Sequence, residues 1–164
     1  MKIKSIRESE FNLMEGVRQI IVHDYSHKFA ILDLGEKLGS YGMSWRSSSL
    51  KPIIKVWEEE NAVWIGVDQQ LACICLQSGR LLVSLPLTTY IVQILTLDQV
   101  TAVLTEEEVL LFNPGGSIRF SEDLPDQGIG MSVVGEELAI EMLDGDSLTI
   151  NTMTGVFKSL VPIG

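Results

Sequence analysis

The chain has 164 residues, of which 46% are apolar and 21% charged, the make-up of one folded domain rather than of a disordered segment. Its net charge of −10 is unevenly spread: Met1–Lys55 holds nine Lys/Arg against six Asp/Glu, and the rest of the chain three against sixteen. Such an acidic body repels phosphate backbones, which argues against nucleic acid as a partner. The longest apolar run, from Leu85 to Leu97, has 13 residues and contains a proline, short of the roughly 20 a membrane-spanning helix needs.

In chain order, Met1–Arg7 is basic, but Glu8, Glu10 and Glu15 follow where a signal peptide would carry its apolar core; the expected location is the cytoplasm. Lys2–Ile6 alternates polar and apolar residues like a strand. Ser9 is placed to cap a short helix with Leu13, Met14 and Val17 on one face, ending near Gly16, although a continuous strand competes for the same stretch.

From residue 20 on, four segments lie over one another: 20–39, 63–82, 101–120 and 131–150. Each reads as an apolar strand, a polar turn, a second apolar strand (FAILDL, LACICL, VLLF, LAIEML), a turn with glycine, and a third strand such as RLLVSL, SIRFS or SLTIN. Glycine, Asn and Asp supply the positive φ of tight hairpins, and the β-branched content favours strand over helix. The starts of the segments are 43, 38 and 30 residues apart. IIKVW (53–57) and YIVQIL (90–95) lie between units as candidate outer strands; DLPDQGIG (123–130) reads as too polar for one, and VFKSLV (156–161) follows the last unit.

The stretch VWIGV (63–67), DQQ (68–70), LACICL (71–76), QSG (77–79), RLLVSLPL (80–87) resembles a β-propeller blade of the quinoprotein or tryptophan–aspartate type, and the pattern extends over about residues 20–160. No unit carries the Trp-Asp or Gly-His pairs of the tryptophan–aspartate repeat. The resemblance implies an all-β domain over residues 1–164 with about four antiparallel meander units (17–50, 51–97, 98–127 and 128–164). These would form a small ring, a larger ring completed by further copies of the chain, or a rolled sheet or sandwich. In a closed ring the terminal segments, Lys2–Ile6 and 156–161, are expected in the same or adjacent sheets.

Chemistry-bearing clusters are few. His23-Asp24-Tyr25-Ser26-His27 gathers both histidines, a carboxylate and a hydroxyl, but on a turn the face-sharing of i and i+4 ligands is lost. Cys73 and Cys75, about 6.5–7 Å apart on one strand face, are too far apart for an unstrained disulfide and read as reduced core thiols. Asp144-Gly145-Asp146-Ser147 opens like a calcium loop without its remaining ligands, and Ser48-x-x-Lys51 lacks its companion motifs. No nucleophile elbow, phosphate loop or dinucleotide fingerprint occurs. No catalytic residue, cofactor or metal is therefore assigned.

The expected role is a non-enzymatic protein-interaction module whose acidic surface binds a basic protein, in the manner of an immunity or adaptor protein. The candidate contacts are Trp45 and Arg46, as an exposed aromatic–guanidinium anchor, with Glu58, Glu59 and Glu60 and Glu106, Glu107 and Glu108 as acidic clusters. The rival expectation is a small-ligand site or an enzyme built around His23, Asp24 and His27.

Overall fold

A computed structural model describes residues 1–160 and resolves them into sixteen strands in four sheets of four. The chain divides into two compact units, Met1–Thr88 and Thr89 onward.

In the first unit, β1 (Lys2–Ser5), β2 (Gln19–Ile21), β3 (Lys28–Asp33) and β4 (Ser40–Trp45) form a sheet of order β1-β3-β4-β2. The next sheet is a plain meander of β5 (Ile53–Trp57), β6 (Ala62–Val67), β7 (Gln70–Cys75) and β8 (Leu81–Pro86). The second unit repeats the meander twice. One copy is β9 (Ile91–Leu97), β10 (Val100–Thr105), β11 (Glu108–Phe112) and β12 (Ile118–Asp123). The other is β13 (Gly128–Val134), β14 (Glu137–Met142), β15 (Ser147–Asn151) and β16 (Phe157–Leu160).

Apolar residues dominate the second strands of the middle two meanders, β6 and β10. β6 and β10 are buried along their whole length, the pattern of a strand covered on both faces. In the first unit Val63, Ile65 and Val67 pack with Ile21, Leu32 and Met43; in the second Ala102, Leu104 and Leu111 pack with Leu138, Ile140 and Ile150. Each fully buried Ile or Leu contributes roughly 1.5–3 kcal/mol. Within each unit a glutamine amide links the two sheets. Gln70 exchanges hydrogen bonds with the Val22 backbone (2.6 and 3.4 Å), and Gln93 with that of Met131 (3.2 and 2.8 Å).

The fold class expected from the sequence is present, with four corrections of detail. First, segment 20–39 is not a hairpin. β2 runs parallel to β4 (Gln19↔Gly42), and β1 occupies the place beside β3 (Ile3↔Leu32). Second, the irregular spacing was a shift of phase. The second to fourth sheets start at residues 53, 91 and 128, which are 38 and 37 apart. Segment 131–150 covers the first three strands of its sheet, whereas 63–82 and 101–120 begin at the second strand.

Third, the helix α1 (Glu8–Asn12) starts after Arg7, whose backbone N–H donates to Glu10 Oε1 at 3.2 Å, and Ser9 does not cap it. Only Phe11 is buried; Leu13 and Val17 are 86% and 79% exposed. The apolar periodicity failed because one and a half turns cannot present a full stripe. Fourth, DLPDQGIG holds the start of β13. A Cβ on Gly128 would stand 2.8 Å from Leu124 Cδ1 and 3.0 Å from the Thr105 carbonyl, so this glycine marks a close approach of strands and not a turn.

The two terminal strands belong to different sheets, β1 beside β3 and the segment from Phe157 beside β15. Neither completes the other's blade, and the last four residues of the chain lie outside the described part.

Candidate docking surfaces

The histidine-bearing turn joins β2 to β3. His23 is 7% exposed, and both ring nitrogens are engaged. Nδ1 lies 2.6 Å from the Ser44 carbonyl and Nε2 accepts from the Gln69 backbone N–H at 3.4 Å. Asp24 and His27 are exposed, and only the backbone N–H of His27 is anchored, on the Trp45 carbonyl at 2.9 Å. His23 and Asp24 line one shallow pocket with Arg46, Gln69 and Gln70, and His27 is not part of that lining. Among the described residues no group of three or more His, Cys, Asp or Glu is arranged to hold a metal ion.

Trp45, at the end of β4, faces the core. It is 7% exposed and its indole N–H donates to the Leu50 carbonyl at 3.2 Å. It is not the exposed anchor its Gly/Ser-rich surroundings suggested; Arg46, the next residue, is exposed. The stretch after it is held by Asp68, the first residue of the DQQ turn. Asp68 sits at φ 49 between β6 and β7 and is 3% exposed. Its Oδ2 accepts from the backbone N–H groups of Arg46 and Ser47 at 2.9 and 3.1 Å. The only advance signal was the residue type, since Asp tolerates the left-handed region better than most.

The cysteines part company as well. Burial, and secondarily Cys75, pushes the Cys73 thiol up to about 12. Cys75, at the strand end, is held below its ordinary value by the Ser78 hydroxyl and the turn amides of Ser78 and Gln77. Cys73 is the core thiol that was expected; Cys75 is only half-buried. Asp144-Gly145-Asp146 closes a turn in which the Asp146 N–H donates to Asp144 Oδ1 at 2.9 Å.

The acidic triplets differ from one another. Glu58–Glu60 forms a 3-10 turn between β5 and β6, ended by Asn61 at φ 49. Glu106 and Glu107 make the β10–β11 turn, where Thr105 Oγ1 accepts from the N–H groups of Glu107 and Glu108 at 3.3 and 2.9 Å. Glu108 then stands directly opposite Asp123 of β12. Burial, and after it the charges of Asp123 and Glu107, raises the Glu108 carboxyl above its ordinary value. Glu106, Glu107 and Asp126 rim a depression of about 330 Å³.

Divided by unit, the charge separates completely. Met1–Thr88 carries ten Lys/Arg and ten Asp/Glu, whereas Thr89–Gly164 carries two and twelve. Both cations of the second unit are engaged away from the turn acids. Arg119 donates to Asn113 Oδ1 and to the Gln99 and Thr152 carbonyls at 2.5, 2.8 and 3.1 Å, and Lys158 lies 4.0 Å from Glu137.

Four-stranded antiparallel meanders, recurring every 37 or 38 residues in the last three sheets, point to one architecture. These sheets are propeller-like blades. No family model and no curated protein matches the chain, but solved structures do. It is similar to the Neurospora crassa Pan2 WD40 domain (TM-score 0.56, 16% identity, 67% of this chain and 37% of that one). It is also similar to Saccharomyces cerevisiae Sqt1 (0.52, 19%, 66% and 33%). A third likeness is to BBS1N, solved in complex with ARL6DN (0.53, 18%, 90% and 54%). At such identities the likeness is one of fold. The chain spans about a third to a half of the length of these proteins.

Proposed function

We propose that the chain is a protein-interaction module whose second unit presents an acidic docking surface to a basic protein partner. The observation that carries the proposal is the twelve-to-two excess of carboxylates over cations from Thr89 onward. Glu106, Glu107, Glu108, Asp123 and Asp126 are gathered at the β10–β11 and β12–β13 turns, and both cations of the unit are held elsewhere. Like charges set opposite one another in a strand pair destabilise the free protein, and a cationic partner would relieve that repulsion. A field of one sign also speeds encounter with a partner of the other. Propeller blades supply the rigid turns on which such a surface can be mounted; BBS1N, one of the similar structures, was solved in complex with ARL6DN.

The test is a pull-down at low and high salt with the wild-type chain and with a variant carrying Glu106→Gln, Glu107→Gln and Asp126→Asn. A basic protein retained at low salt, released at high salt and lost with the variant is the expected outcome. Recovery of no partner, or only of partners indifferent to salt, contradicts the proposal. Association of copies into a larger ring is a separate element of the reading, taken from the repeat. Light scattering tests it, and a monomer mass at all concentrations would remove it.

A further inference from the structure

The first unit carries a groove of the opposite character. It has a volume of about 470 Å³ and lies where the turn before β2, the β3–β4 loop and the β7–β8 turn meet. Tyr41 forms its floor, buried, with its hydroxyl donating to the Gly79 carbonyl at 2.7 Å. The Arg18 guanidinium lies over that ring, 4.7 Å from its centroid, and donates through Nη1 to the Leu38 carbonyl at 2.6 Å. Stacking and this one bond fix the plane of the guanidinium and leave most of its five N–H donors unused. Lys37 stands beside it, exposed.

No acidic residue lines the groove, and among the described residues no carboxylate pairs with Arg18 or Lys37. Val17 and Leu81 give it an exposed apolar rim. Two glycines keep it open. A Cβ on Gly79 (φ 76) would stand 2.9 Å from the Tyr41 hydroxyl, and one on Gly39 (φ 79) would stand 3.4 Å from Arg18 Nη1.

We propose that this groove docks a peptide segment of a partner protein in which a carboxylate is flanked by apolar side chains. The carboxylate would bond the oriented guanidinium and Lys37, a charge-assisted arrangement suited to an Arg whose geometry is already set. The flanking apolar groups would cover Val17 and Leu81. A basic segment would meet two like charges and is disfavoured. The groove is built from residues of the first unit and the acidic turns from residues of the second, so neither proposal stands or falls with the other. A chain of net charge −10 repels acidic peptides in general, which makes binding of one diagnostic of a local cationic site.

The experiment measures fluorescence anisotropy of a labelled peptide of alternating glutamate and leucine, with glutamine–leucine and lysine–leucine peptides as controls. The acidic peptide is expected to bind about tenfold or more tighter than the glutamine peptide, in keeping with a charge-assisted bond. Lys37→Glu changes an exposed side chain without bonds of its own and should weaken binding by roughly fivefold or more. Arg18→Gln should weaken it further, with circular dichroism confirming the fold. Equal binding of the acidic and glutamine peptides, preference for the lysine peptide, or an undiminished affinity in Lys37→Glu would overturn the proposal.

Discussion

His23 has a structural task of its own within the histidine-bearing turn. Its ring bridges the Ser44 carbonyl and the Gln69 N–H inside the protein, so it acts as a structural linker. Replacing it with alanine orphans both partners and should cost about 1–3 kcal/mol, read as a lowered urea midpoint with an unchanged slope. An unchanged midpoint would show that the two bonds contribute nothing.

Glu108 makes a prediction of the opposite sign. Its carboxyl is raised in the folded state by burial and by Asp123 and Glu107, so the folded protein binds its proton more tightly than the unfolded chain does. The resulting penalty appears as pH climbs from the ordinary glutamate value through the raised one, and it is complete above that. Glu108→Gln should therefore stabilise the protein at neutral pH by about 0.5 kcal/mol, after allowance for its partial exposure. The gain should vanish on acidification below the ordinary glutamate range. A gain independent of pH would mean that charge is not the cause. The cysteines give a third test: at neutral pH iodoacetamide should modify Cys75 well before Cys73, because thiolate content and access both favour it. Equal labelling by mass spectrometry would contradict the two environments.

At the scale of elements, the middle strands were the most legible part of the sequence. VWIGV, LACICL and the AVL of TAVLT are apolar runs, and they fall in strands buried along most of their length. What periodicity could not convey was phase, because the edge strands IIKVW and GIGMSVV are mixed in polarity and half exposed. The parallel β2 was hidden for another reason. It pairs with β4 beside a close packing of Phe11 and Met14 on Gly42, where a Cβ would meet Met14 Sδ at 2.8 Å and Phe11 Cε2 at 3.0 Å, a contact between residues far apart in sequence. The two close-approach glycines respond differently to a methyl group. Gly42 faces side-chain ends that can move, whereas Gly128 also faces the Thr105 backbone carbonyl. Gly128→Ala should cost about 1–3 kcal/mol and exceed the cost of Gly42→Ala in thermal denaturation. The reverse order would mean that the strand yields more easily than the helix.

For the whole molecule, the charge imbalance was visible in the sequence, but its boundary was not. Counting from Lys55 gave a mildly basic first part, and only the division at Thr88 reveals a neutral unit followed by one that carries the entire net charge. The candidate residues separate along the same line. Trp45 and His23 are interior, Glu58–Glu60 belongs to the neutral unit, and Glu106–Glu108 belongs to the acidic one. The acidic surface is the central claim. Its most direct test is the slope of log Kd against log salt for the captured partner, measured by calorimetry on the wild type and on the variant with Glu106→Gln, Glu107→Gln and Asp126→Asn. The account predicts weakening with salt in the wild type and a clearly shallower slope in the variant. Identical slopes would contradict it.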